Sequence, residues 1–172
     1  MLSSVLLLAA SMVVGQAEAA APSVMPPEVL KELQVLSGEW NLEMTLDGEV
    51  QKTTWVGRWA PERHCQIGRV TGDSVQANTL TGYDKSTNRI TELAFYANGD
   101  YYLFRYRVVS PGVWEGEGVG IDRGKPFTEK LELKRNGRDE FTWKATDFVL
   151  GGEKQADLIA VGRRVKKAKT DK

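Results

Sequence analysis

From Trp40 to Val165 apolar and polar residues alternate in short runs separated by turn residues, a pattern that leaves few folds open. Trp40, Leu42, Met44 and Leu46 alternate with Asn41, Glu43, Thr45 and Asp47, as in a strand with one buried face. Asp47-Gly48 then supplies a tight reverse turn. The second strand runs from about Val50 to Trp59, with Trp55, Gly57 and Trp59 on one face, and Pro61 stops it. His64 to Thr71 and Asn78 to Tyr83 read as the third and fourth strands. Turns at Asp84 to Asn88, Asn98-Gly99 and Ser110-Pro111-Gly112 lead into Arg89 to Ala97, Asp100 to Val109 and Val113 to Ile121. Further turns at Arg123 to Pro126, Asn136-Gly137 and Gly151-Gly152 lead into Phe127 to Arg135, Glu140 to Val149 and Lys154 to Val165. The count is about ten strands of about ten residues each.

None of these segments carries a helical repeat of useful length, which argues against parallel crossovers. Left open, a sheet of such strands would expose two long edges. Closing it removes them, so the expected fold is all-β: an antiparallel up-and-down β-barrel of about ten strands, capped by a short N-terminal helix. A Greek-key sandwich is the alternative, but it needs longer crossovers than these turns provide. The helix is expected to start at Pro26-Pro27-Glu28, where a missing N–H costs nothing and a carboxylate meets the positive dipole end. Val29, Leu33 and Leu36 form its apolar stripe. Gly38 is expected to end it in the left-handed conformation, and Trp40 to plug the closed end of the barrel.

The flanking segments bear on compartment. Val5 to Val14 is an apolar run of about ten residues, short of the roughly 20 that span a bilayer, and Ala17-Glu18-Ala19 has the small-x-small form of a cleavage site. The expectation is a signal peptide over 1–19, with Ala21 a second cleavage candidate and an uncleaved anchor the alternative. A Pro-rich linker over 20–27, a barrel domain over 28–165 and a basic tail over 166–172 follow. The protein is accordingly expected to be exported, periplasmic or secreted, with no transmembrane span after cleavage. Lys plus Arg and Asp plus Glu both number 23, yet Arg163, Arg164, Lys166, Lys167, Lys169 and Lys172 crowd the last residues against Asp171 alone. This end reads as solvated, and no nucleic-acid partner is expected.

Cys65 is the single cysteine, so packing rather than an intrachain disulfide must hold the fold; it is read as buried and inert. His64 and Cys65 are adjacent, and adjacent strand residues point to opposite faces, so they cannot share a metal. With no second His, neither a structural zinc site nor any cofactor is expected.

Three short motifs carry a resemblance: Leu36-Ser37-Gly38-Glu39-Trp40 after the helix, Gly82-Tyr83-Asp84 in the middle, and Trp114-Glu115-Gly116 late in the chain. With the hairpin series between them, roughly Leu33 to Val165 resembles the lipocalin-like (calycin) barrels. It is most similar to a group of exported bacterial proteins classed as a lipocalin-like domain of unknown function. The resemblance implies a barrel of about ten strands with an interior able to hold a small ligand, and it implies no activity. The related nitrobindin-like barrels bind haem iron through a late His; the sole His here, His64, is early, so that function does not carry over.

Candidate site residues come from the aromatic and charged positions. Gly116, Gly118 and Gly120 share one strand face with Trp114, but no helix follows, so this is no phosphate loop. Such a stripe permits sharp curvature or close approach of a neighbouring aromatic; room for a ligand is the other reading. Were that face outside, Glu115 and Glu117 would point inward and need partners, with Arg105 the pairing to look for. A solvent-facing ladder of ion pairs is the alternative. The candidate ligand-binding residues are Trp55, Tyr102, Arg105, Trp114, Glu117 and Trp143. The expected function is interior binding of a small apolar or amphipathic molecule. The alternatives are a barrel enzyme using an interior carboxylate/Arg pair and a filled structural or interaction barrel of the cell envelope. A continuous cavity would count against the filled barrel, and a deep carboxylate away from any Arg would favour the enzyme.

Overall fold

The computed structural model describes residues 25–46 and 49–166. The expected signal peptide, the start of the linker, the Asp47-Gly48 turn and the tail from Lys167 lie outside the described residues. Helix α1 (Pro27–Leu36) precedes β1 (Gly38–Leu46), β2 (Glu49–Trp59), β3 (Cys65–Gly72), β4 (Gln76–Asp84), β5 (Arg89–Tyr96) and β6 (Tyr101–Ser110). Next come β7 (Val113–Asp122), β8 (Lys125–Arg135), β9 (Glu140–Leu150), the two-residue β10 (Glu153–Lys154) and β11 (Leu158–Arg164). Sequence neighbours pair antiparallel from β1 through β9, β9 also pairs β11, and β11 pairs β1. The sheet therefore closes into an up-and-down barrel of ten long strands. One departure is at the end, where residues 155–157 leave strand geometry and split the expected last strand into β10 and β11.

Alternation places one residue in two inside, and the chain corrects its own phase where needed. On β9, Phe141 and Ala145 are buried, then Phe148 and Leu150, a change of parity. A bulge at Asp147-Phe148, opposite Glu129, makes the switch: the register against β8 shifts between Thr128 and Lys130, and Asp147 has φ 51°. The extra residue keeps the apolar side chains inside on both sides of the bend.

Helix α1 closes one end of the cylinder. Pro27 occupies the first turn with Glu28, as the Pro-Pro-Glu start predicts, and Val29, Leu33 and Leu36 are buried. The exit differs from expectation, since Ser37 leaves the helix in an extended conformation (φ −59°, ψ 141°). Gly38 follows at φ 123° and begins β1; a Cβ there would lie 2.8 Å from Arg164 Nη1. Helix C-termini leave carbonyls without partners, and here side chains from three strands supply donors. Gln66 Nε2 donates to Leu33 O at 2.7 Å, Trp40 Nε1 to Leu36 O at 2.8 Å, and Arg164 to Ser37 O and Val35 O. The Arg164 charge also suits the negative end of the helix dipole. Its guanidinium lies 4.2 Å from the centroid of Trp40, whose ring meets Phe141 edge-on at 5.0 Å. Trp40, only 1% exposed, is thus packed beneath the helix-capped end. Arg164, grouped by sequence with the basic tail, belongs to the core of this cap.

A polar clamp secures the same end. Glu32 projects from α1 among the apolar residues and is 3% exposed. Its carboxylate accepts from Arg135 Nη2 at 2.9 Å and from Trp114 Nε1 and the Gly112 N–H at 3.2 Å each. Two strands and a turn are thereby tied to the helix through one buried group.

Candidate functional site

Beyond this cap the barrel is hollow. A cavity of about 550 Å³ reaches from a floor at Leu33, Leu36 and Trp114 to a mouth near Ser74, Asn98 and Arg123. That volume falls within the range of small-molecule sites. Its walls differ. The side formed by β1 to β3 is mixed, with Leu42, Met44, Thr53, Val70 and a single ring, Trp55, whereas the side formed by β5 to β9 is largely aromatic. There Tyr102 lies 4.5 Å from Tyr96 and 4.7 Å from Phe127, centroid to centroid, and Phe104 continues the group toward Tyr106 and Trp143. Trp143 Nε1 donates to the Tyr106 hydroxyl at 3.1 Å, so both polar tips have a partner.

Four of the six candidates, Trp55, Tyr102, Trp114 and Trp143, line this cavity. Arg105 and Glu117 stand on the outer face and are not brought to it. The reason is the phase of β7: Trp114, Gly118 and Gly120 are buried while Glu115 and Glu117 are exposed. The glycine face points inward, so the condition under which the two carboxylates would be interior is not met. Glu117, its side chain 54% exposed, pairs with Arg89 Nη1 at 2.8 Å in place of Arg105. The inward stripe is occupied by its neighbours. A Cβ on Gly118 would lie 2.6 Å from Glu129 Oε1 and 3.0 Å from Phe104 Cδ1, and one on Gly120 would lie 2.9 Å from Phe127 Cε1. Close approach of neighbouring side chains and, at Gly116 and Gly120, of the β6 backbone, rather than vacant room, explains these glycines.

His64 is exposed, with Glu62 Oε2 3.7 Å away. Cys65 is half-buried on the outer face rather than buried in the core.

Sequence reasoning missed the cavity's acidic groups. Glu92 and Glu129 face inward, and Asp122 and Asp100 stand near the mouth. Glu92 accepts from Thr81 Oγ1 at 2.8 Å; burial raises its pKa against the effect of that bond. Asp122 accepts from the Tyr102 hydroxyl at 2.8 Å and from Arg123 Nε at 3.1 Å. Asp100 is occupied by the N–H groups of Arg123 and Gly124 and by Asn98 Nδ2. Glu129, 7% exposed, has neither a hydrogen-bond nor an ion-pair partner among the described residues. Burial, reinforced by the charge of Asp122, pushes its pKa up to about 7. Both glutamates were signalled by phase: Glu92 interrupts the inward row Ile90, Ala94, Tyr96, and Glu129 the row Phe127, Leu131, Leu133. A carboxylate at a core position of a strand needs a reason.

No known protein family matches the sequence, and no curated protein matches it. Among solved structures, that of EF1p2_mFAP2b bound to DFHBI is similar, at 13% sequence identity and a TM-score of 0.43, covering 79% of this chain and 98% of that chain. The chain is, by its own geometry, a closed antiparallel barrel of ten strands.

Proposed function

We propose that the barrel binds a small apolar or amphipathic molecule in its interior. The observation that carries this reading is the cavity of about 550 Å³, largely aromatic on one side and mixed apolar and polar on the other. Ligand sites are commonly built this way. The Leu-x-Gly-x-Trp start and the capped barrel support placing the chain with the lipocalin-like exported domains. The apolar run and Ala17-Glu18-Ala19 support a periplasmic or secreted location. A hollow interior counts against the filled structural barrel.

The test is titration with N-phenyl-1-naphthylamine, a neutral apolar fluorophore, excited through the cavity tryptophans. Saturable one-to-one binding is expected, with at least tenfold loss in Ala160→Phe, which puts a ring into the cavity wall. Absence of saturable binding by folded protein, or unchanged binding by that variant, overturns the interior site. A second reading rests on Glu129, a deep carboxylate away from any Arg: a barrel enzyme in which this group moves a proton, as carboxylates poised near neutral pH can. Arg105 points outward and offers this carboxylate no interior partner.

A further inference from the structure

We propose that the ligand is a cation, a protonated or quaternary amine with an apolar body, whose ammonium lies between Glu92 and Glu129 against the ring of Phe104. The inference rests on the interior-binding reading and adds the chemical class of the ligand. Register supplies the frame. Glu92 pairs with Phe104, Phe104 with Gly118, and Gly118 is opposite Glu129, so the two carboxylates occupy one row across β5 to β8 with a single aromatic side chain between them. Gly118 contributes no side chain, and the Glu129 carboxylate and the Phe104 ring converge on the space a Cβ would take there.

The hydrogen-bond inventory separates Glu129 from the other acids. Asp100 and Asp122 are supplied with donors at the mouth, and Glu92 has one from Thr81. Glu129 has none among the described residues and is buried against the cavity. A carboxylate accepts at about four positions, and leaving one charged and unpaired inside a protein is costly. The lining offers little compensation, because Arg123 is its only Lys or Arg among the described residues. That side chain is 60% exposed and already engaged with Asp122. Four acids against one peripheral base disfavour an anion. A neutral ligand would gain apolar contact alone. An ammonium would supply the missing donor or countercharge to Glu129 while its carbon substituents lie on Tyr102, Phe104 and Phe127, whose faces attract cations.

Three probes of like shape read this directly by calorimetry at pH 8: 4-phenylbutyltrimethylammonium, its uncharged tert-butyl analogue, and 6-phenylhexanoate. The cation is expected to bind at least tenfold more tightly than the neutral analogue, and the anion most weakly. In Glu129→Gln the cation-to-neutral ratio should fall severalfold toward one, and Glu92→Gln should lower it as well. Both variants keep side-chain volume, and near-ultraviolet circular dichroism checks that each is folded. A cation that binds no better than the neutral analogue overturns the proposal while leaving interior binding intact, as does a ratio unchanged in both variants. Failure of all three probes to bind folded wild-type protein removes the interior-binding reading, and this one with it.

Discussion

Two buried glutamates face the same interior, one beneath the helix cap and one midway along the barrel. Glu32, beneath the helix, is met by a guanidinium, an indole N–H and a backbone N–H. Glu129, in the hollow part, is met by nothing among the described residues that donates a hydrogen bond. Both residues are largely buried, and the protein itself supplies partners only at the cap. A paired carboxylate of this kind locks elements together; an unpaired one is a standing demand for a proton or a cation. The capped end is therefore the part of the barrel that holds its shape, and the middle of the cavity is the part with unused chemistry.

The sharpest way to break this contrast is to remove the donor at the closed end. Arg135→Ala leaves Glu32 buried with two neutral donors and no countercharge, and the expected cost is about 3–5 kcal/mol, as for other buried pairs stripped of one member. Urea unfolding followed by tryptophan fluorescence measures it. A loss under about 1 kcal/mol would mean that Glu32 is not a clamp. Glu32→Gln should cost less than Arg135→Ala, because the charge that demands the arginine leaves together with the ion pair.

Inside the cavity the corresponding change should have the opposite sign. The carboxyl of Glu129 is displaced from its ordinary value of 4.5 to about 7 in the folded protein. Between those values the folded chain holds a proton that the unfolded chain has lost, so stability falls as pH rises through the window and is lowest above it. The displacement corresponds to on the order of 3 kcal/mol. Asp122 on β7, Glu92 and Tyr96 on β5, and Tyr102 and Tyr106 on β6 surround the group, and Glu129→Gln leaves every one of them in place. The variant should be more stable than the natural protein at pH 8, by up to that amount, with the difference shrinking toward pH 4.5. Equal stabilities at both pH values would show that Glu129 is already paired or hydrated in solution.

The architecture was legible in the sequence because it depends on local pattern: alternation and turns fix strand number and order, and most expected boundaries fall within two residues of the observed ones. Trp40 and the apolar stripe of α1 were legible for the same reason. The cap's chemistry was not, since Arg164 meets Trp40 only when the last strand closes beside the first, a contact between the two ends of the chain. At β7 the phase was open from sequence. Trp114 is a heavy apolar residue whose face otherwise carries three glycines and Asp122, so composition alone does not say which side is inside. The answer comes from β6 and β8, where Phe104 and Glu129 fill the space the glycines leave. Glu92 and Glu129 could have been found by asking which charged residues fall in phase with buried neighbours, a stricter question than where aromatics and charges cluster.

The outer face of β7 supplies the smallest expected effect and a control for the rest. Glu117 pairs with Arg89 across the barrel surface at 2.8 Å, in a geometry as short as that at Glu32. Distance is therefore not what distinguishes them; exposure is. With the Glu117 side chain 54% exposed, water already solvates each partner when the other is removed, and salt screens their attraction. Glu117→Gln should change unfolding stability by less than about 1 kcal/mol, and it should leave binding of the cationic probe unchanged, since its side chain lies outside the wall that Glu129 lines. A loss of cation binding in this variant, with stability intact, would place the recognition of charge on the outer surface and return Arg105 and Glu117 to the site.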